Sequence, residues 1–210
     1  MRIRAIAIAA AFAIATPVIA QQAMQVPGAR DATRVTGGTY AADPAHTLIG
    51  WRVSHFAFND YFGIFGGATG TLTIDPKNPS AARVDITVPV SKVTTANPAL
   101  TQHLLKPAEA GKPADFFGAN PADARFVSKQ VTVNGEKARI LGALTLNGVT
   151  RDVVLDAEFV GAGSAPRTNK ETVGFHARGT IKRSEFGIAF AVPLVSDEVA
   201  LDISAAFEKQ

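Results

Sequence analysis

The sequence predicts an all-β fold, an eight-stranded antiparallel barrel closed around an apolar interior, and three observations lead there. Eight segments place apolar residues at every second position with polar or charged residues between, the pattern of a strand with one buried face. Asn134-Gly135 and Asn147-Gly148 supply the residue pair that suits a two-residue hairpin turn, and Asp75-Pro76-Lys77-Asn78-Pro79-Ser80 supplies a proline-defined one. The chain has no Cys in its 210 residues, so burial and the sheet must hold it together without disulfides.

Residues 1–20 read as a secretory signal. Met1-Arg2-Ile3-Arg4 is a positive start, Ala5 to Ile14 is apolar, and Val18-Ile19-Ala20 after Pro17 is a small-residue exit with cleavage expected near Ala20. The apolar run is short for a membrane span of about 20 residues, so no stable span is expected after cleavage, and a periplasmic location follows. Arg2 and Arg4 leave with the signal, which takes the net charge from +3 to +1. That is too little field for a nucleic-acid partner. Residues 21–39, with Pro27, Gly28, Gly37 and Gly38, read as a flexible lead-in. Residues 40–210 then form one domain, of a size that buries about 70% of its unfolded surface.

Strands are expected over roughly 46–57, 67–75, 82–92, 124–133, 137–146, 150–160, 171–182 and 196–208. In the first, Ile49, Trp51, Val53 and His55 alternate with Gly50, Arg52 and Ser54; in the third, Val84, Ile86 and Val88 alternate with Asp85 and Thr87. Val153, Leu155, Ala157 and Phe159 oppose Asp152, Asp156 and Glu158 in the sixth. Val173, Phe175 and Ala177 oppose His176 and Arg178 in the seventh, and Val199, Leu201, Ile203 and Ala205 flank Asp202 in the last. Short turns between them make the sheet mainly an up-and-down meander. Two connections are longer. In 96–120 a short helix is expected at Asn97 to Leu105, with Pro98 in its first turn. The segment 184–195 is too apolar for a free loop, and short helical structure across a barrel mouth is expected in both.

An exported barrel has two polarity solutions. A membrane barrel faces its apolar residues to lipid, whereas a soluble one encloses them. The aromatics cluster in Phe56 to Phe65, Phe116-Phe117 and Phe186 to Phe190 rather than in girdles at strand ends, and Phe207 is followed by Glu208-Lys209-Gln210. The enclosed solution is the one these features favour.

The chain resembles the YceI-like family of exported polyisoprenoid-binding proteins over about residues 40–208. The resemblance is carried by Tyr40, Asp43-Pro44-Ala45-His46-Thr47, Trp51-Arg52-Val53-Ser54-His55, Phe62-Gly63-Ile64-Phe65 and Leu72-Thr73-Ile74-Asp75-Pro76. It continues through Ser91 to Thr95, His103-Leu104, Asp115-Phe116-Phe117, Phe126-Val127-Ser128, Gly142 to Thr150, Arg183-Ser184-Glu185-Phe186-Gly187 and Asp197-Glu198-Val199. It implies an extended lipocalin-like barrel holding one long isoprenoid chain, as a prenyl phosphate or a prenylated quinone. Thr47 stands where the family usually has Ser, Glu185 where it has Asp, and Asn120 where an aromatic is common. The last departure bears on pocket length and head group.

Small or medium residues at inward positions, among them Val53, Ala138, Gly142, Ala157, Ala177, Gly179 and Ala205, leave room along the barrel axis. Ligand contact is therefore expected from Trp51, Val53, Ile86, Val88, Phe126, Ile140, Leu144 and Phe175 on the wall, and from Phe62 and Phe65. Each could equally fill a dry core. Phe186, Ile188 and Phe190 are lid candidates, with a satellite core as the alternative. His55 is the polar interruption of the apolar face, either a structural hydrogen-bonding residue or a donor to a quinone carbonyl or phosphate. Arg183 is expected to pair with Glu185 or Asp197. His46, His103 and His176 are too scattered for a metal site, and no cofactor is implied.

A non-enzymatic carrier or store of a polyisoprenoid or related long-chain lipid is the leading reading. A fatty-acid or fatty-amide carrier is a close variant. An enzyme acting on a lipid in the barrel finds no Gly-x-Ser-x-Gly, His-Glu-x-x-His, Cys nucleophile or Gly-rich phosphate loop. A filled barrel acting as an interaction protein is the third class. A homodimer through a sheet edge is compatible with the sequence, but no patch marks it.

Overall fold

The computed structural model describes residues 25–210, so the expected signal segment lies outside them. In chain order the strands are β1 (Gly38–Ala42), β2 (Leu48–His55), β3 (Asn59–Phe65), β4 (Thr69–Ile74), β5 (Arg83–Val88) and β6 (Val93–Thr95). After α1 (Pro98–Leu104) come β7 (Ala124–Asn134), β8 (Lys137–Leu146), β9 (Val149–Ser164), β10 (Glu171–Lys182) and β11 (Glu198–Lys209). From β4 through β5, β7, β8, β9 and β10 to β11 each strand pairs antiparallel with the next, and β1 closes the ring by pairing with both β4 and β11. The eight-stranded antiparallel barrel is therefore present. It carries an added flap, β2–β3–β6, hydrogen-bonded to β11 through β2.

Three strands were not expected. β1 begins inside the presumed lead-in, where Gly37 and Gly38 read as linker residues but have the positive φ of a turn, 81° and 105°. β3 replaces what read as an aromatic-rich connection, because the turn before it is built on Phe56 and Ala57 rather than on Gly or Asn. β5 stops at Val88, where Pro89 interrupts the ladder and a single turn, Val90–Lys92, leads into β6. The helix α1 forms as expected, with Pro98 in its first turn and the Asn97 carboxamide oxygen accepting from the Ala99 N–H at 3.0 Å. The second long connection holds only one 3₁₀ turn, Arg183–Phe186, followed by irregular turns.

The junction of β1 and β2 shapes the barrel. β11 pairs with β2 over Ala200 to Ser204 and with β1 over Phe207 to Lys209, so Ala205 and Ala206 face a gap in the ladder. The chain crosses that gap in a bend from Asp43 to Thr47. The buried Thr47 hydroxyl donates to the Ala206 carbonyl at 3.1 Å and accepts from the Ala206 N–H at 3.2 Å, while the Asp43 N–H donates to the same carbonyl at 2.8 Å. A hydroxyl here stands in for a strand. Thr in place of Ser keeps this chemistry.

Charged residues face outward, as the alternation requires. Arg139, Asp156, Arg178 and Asp202 lie in direct register across four consecutive strands and alternate in sign. Arg125 grips Asp85 through two N–H groups at 2.9 and 2.6 Å, and Lys129 pairs with Asp152. Exposed pairs of this kind are screened by solvent and pin register more than they stabilise. An outer wall so charged around an apolar interior is the reverse of a membrane barrel, and among the described residues no helix is long and apolar enough to cross a membrane.

The segment before β1 is not free. Ala29 forms a two-bond bridge with Ala162, passing so close to β9 that a Cβ at Gly161 would lie 3.0 Å from the Ala29 carbonyl oxygen. Arg30 spans Glu136 and Glu158 at 2.6 Å each. Thr36 and the fully buried Tyr40 both donate hydroxyl protons to Glu171 at 2.6 Å. Tyr40 heads a core cluster with Leu72, Phe159, Val173 and Phe207 at this end. A second cluster, Val153, Leu155, Ile181, Phe186 and Val199, lies at the flap end.

Two expectations follow. Thr47→Val leaves the Ala206 N–H and part of its carbonyl unpaired, which lowers stability in urea unfolding by about 1–3 kcal/mol, whereas Thr47→Ser is near neutral. The second concerns pH. Burial and the neighbouring Glu171 carboxylate push the Tyr40 phenol up to about 12, so its contribution is complete below the unfolded value and lost as pH rises towards that figure. Burial alone would raise Glu171, but hydrogen bonds from Thr36 and Tyr40 and the charge of Lys209 bring it below the usual carboxylate value. Its contribution is complete above the unfolded value and lost as pH falls through the folded one. Thermal stability should therefore fall at both extremes, and Tyr40→Phe should abolish the alkaline limb that Tyr40 contributes and shrink the acid one, because it also removes a donor to Glu171.

Candidate functional site

The barrel interior is not filled. Two cavities lie along it, one of about 380 Å3 towards the Tyr40 end and one of about 570 Å3 under the flap. Ile49, Val88, Leu144 and Leu201 line both, so the two chambers adjoin along the barrel and together outline a tunnel, with these four apolar side chains at the neck between them.

Register explains the first chamber. Ala138, Ala157 and Ala177 are direct cross-strand neighbours on β8, β9 and β10, and all three face the cavity. Three methyl groups in a row leave the space that larger side chains would fill. Ile86, Phe126, Ile140 and Phe175 complete much of the wall. The chamber ends on Phe159, Phe175 and Phe207, whose rings meet edge to face with centroids 5.8 and 6.3 Å apart.

The second chamber is built by β2, β3, α1 and the 184–195 connection. Trp51, Val53, His55, Phe65, Ile188 and Phe190 line it. Trp51 lies flat over Gly63, its direct partner on β3, where a Cβ would fall 2.1 Å from the indole ring. Its Nε1–H is buried without an acceptor among the described residues. Two expected residues lie elsewhere. Phe62 sits between the inward Tyr61 and Gly63 and is 61% exposed on the outer wall, because strand parity rather than aromatic character sets its direction. Phe186 is 1% exposed and packs in the second core cluster behind the wall, drawn in by the turn that ends at Gly187 with φ 76°.

Arg183 departs from expectation as well. It is 5% exposed, and its guanidinium donates to four backbone carbonyls: Ser196 from Nε at 2.9 Å, Ile188 and Phe190 from Nη1 at 3.1 and 2.8 Å, and Val195 from Nη2 at 2.8 Å. Asp197 instead accepts from the Ser184 N–H and hydroxyl, which hold its carboxyl below the usual range. Burial lowers the Arg183 guanidinium from its ordinary value. Four of its five donors are spent on the loop that caps the chamber.

Sequence reasoning missed part of the mouth. His103 Nε2 lies 2.8 Å from Asp115 Oδ2, and the imidazole meets Phe116 and Phe190 edge to face at 5.2 and 5.7 Å. Tyr61, Asn97, Phe116 and Phe117 also line the chamber. The motifs His103-Leu104 and Asp115-Phe116-Phe117 were both visible, but their pairing was not, since the segment between has no periodic pattern. Among the described residues no group of three or more His, Cys, Asp or Glu is placed to hold a metal.

An antiparallel eight-stranded barrel around a slender apolar tunnel defines a lipocalin-like protein. The family model for the YceI-like domain matches residues 40–207, and this chain belongs to that family. Protein YceI of Escherichia coli is 36% identical over 160 residues, covering 76% of this chain and 80% of that protein. BcnA of Burkholderia cenocepacia shares the fold with a TM-score of 0.65 at 22% identity, over 79% of this chain and 98% of that one. A polyisoprenoid binding domain from Saccharophagus degradans does so at 0.55 and 13% identity, over 81% and 98%.

Removing the Arg183 head group tests its part in the cap. Arg183→Met leaves four carbonyls without donors and should destabilise the protein by at least about 3 kcal/mol, with protease cleavage appearing between Ile188 and Ser196. Arg183→Lys should recover only part of this, because three donors on a point charge cannot span four carbonyls.

Proposed function

We propose that this chain is a non-enzymatic carrier or store for a long polyisoprenoid lipid, acting in the periplasm after residues 1–20 are removed. The tunnel carries this reading: two apolar chambers joined at a neck suit one long, slender chain better than a compact ligand. Each methylene buried there is worth about 0.8 kcal/mol, so high affinity needs few polar contacts. Belonging to the YceI-like family supports the same reading, as does the Saccharophagus domain described as polyisoprenoid binding.

Charge narrows the head group. The polar side chains lining the second chamber are His55, Tyr61, Asn97, His103 and Arg183, with no Lys, and Arg183 is committed to backbone carbonyls. A phosphate would lack the free cations it ordinarily meets. An uncharged head group with carbonyl acceptors, as in a prenylated quinone, suits the donors present. The same lining has no Ser, Thr, Cys, Asp or Glu among the described residues, which supports binding over catalysis.

Organic extraction of the purified processed protein followed by mass spectrometry should release one uncharged long-chain isoprenoid per chain. A lipid-free protein that also takes up no prenyl lipid would refute the proposal. Ala157→Phe, which fills the first chamber and spares the second, should weaken a long prenyl lipid about tenfold or more. It should leave a short isoprenoid unaffected, and equal loss for both lengths would contradict the two-chamber reading.

A further inference from the structure

We propose that the tip of the β2–β3 hairpin docks the barrel on a phospholipid bilayer, inserting Phe58 beside the tunnel mouth; this rests on the lipid-carrier reading. Phe58 is 88% exposed, and its ring stacks on Phe56, with centroids 6.4 Å apart. Phe56 is itself 43% exposed and also lines the second chamber, so apolar surface runs unbroken from the tunnel to the tip. Leu194, 58% exposed, is held alongside by a hydrogen bond from the Phe56 N–H to the Leu194 carbonyl at 2.7 Å.

The backbone supplies an independent observation. Phe56 and Ala57 have φ of 54° and 56°, the left-handed conformation at both central positions of the turn closed by the Phe58 N–H on the His55 carbonyl at 3.0 Å. Elsewhere the same chain builds that conformation with Asn147 and Gly148, at 51° and 76°. Phe and Ala in these positions are strained by their Cβ atoms, and exposing the ring adds to the cost. Folding alone favours Asn-Gly at this tip too, so the aromatic residues serve contact with something outside.

A bilayer fits that contact better than a second copy of the chain. Even counting Phe62 and Ile64 on the adjoining outer wall, the exposed apolar side chains offer roughly 550 Å2, taking 150–250 Å2 per aromatic residue. A standard protein interface needs about 800 Å2 per partner. Arg52 and Asp60 at the root of the hairpin neutralise each other at 3.0 Å. Aromatic insertion at the headgroup boundary is the chemistry this leaves.

The test is flotation with phosphatidylcholine vesicles of the chain without residues 1–20, whose apolar run would bind lipid by itself and which precede every described strand in the sequence. The protein should float, added salt should not release it, and Phe58→Ser should reduce the partition coefficient about tenfold or more. Equal flotation of Phe58→Ser, no flotation of the parent chain, or a dimer that Phe58→Ser dissociates in sedimentation would each overturn the proposal. Uptake of a detergent-dispersed prenyl lipid separates the two readings. Uptake without flotation removes the docking tip and keeps the carrier; flotation without uptake keeps the tip and removes the carrier.

Discussion

One edge of β11 is longer than any single partner can cover, and the molecule is organised by how that edge is shared. β1 takes the end nearest the C-terminus and β2 takes the middle, with Thr47 satisfying Ala206 where neither strand reaches. At the β1 end the ring closes over Tyr40, Leu72 and Phe207. At the β2 end the sheet continues into β3 and β6 instead of turning back to β5, so the barrel opens into a flap. An arrangement that satisfies a few backbone groups thereby makes a tunnel with two unlike ends.

The unlike ends have unlike chemistry. Around the first chamber, Ala138, Ala157 and Ala177 hold the wall back from the axis, and the lining is almost wholly apolar. Around the second, His55, Tyr61, Asn97 and His103 put hydrogen-bonding groups among aromatic rings. A ligand with a long apolar tail and a small uncharged polar head matches both at once. Arg183 makes the second end durable by tying four carbonyls of an otherwise irregular loop to one buried guanidinium. Buried backbone carbonyls in such a loop would otherwise be left without donors.

Much of the fold was legible because inside and outside of this barrel are opposite solvents, and period two records the difference residue by residue. Ile86, Phe126, Leu144 and Phe175 face the cavity for that reason. Where parity was not applied the reading failed: Phe62 was assigned by aromatic character, yet its neighbours Tyr61 and Gly63 fix it outward. β3 was hidden because its turn departs from ordinary turn residues, and β1 because glycines at a strand start resemble those of a linker. The partners of Arg183 could not have been read at all, since backbone carbonyls have no residue signature. The pairing of His103 with Asp115 depends on the path of an aperiodic segment.

Family membership, charge polarity and the unfilled interior converge on a barrel whose purpose is its cavity. Trp51, the one tryptophan of the chain, lines the second chamber close to the neck and reports directly on whether the tunnel is occupied. Titration of the lipid-stripped protein with a long-chain prenylated quinone, followed by Trp51 fluorescence, should show quenching that saturates at one lipid per chain. Fluorescence that does not change, or that drifts without saturation as lipid is added, would contradict the central claim that a single lipid chain occupies the tunnel.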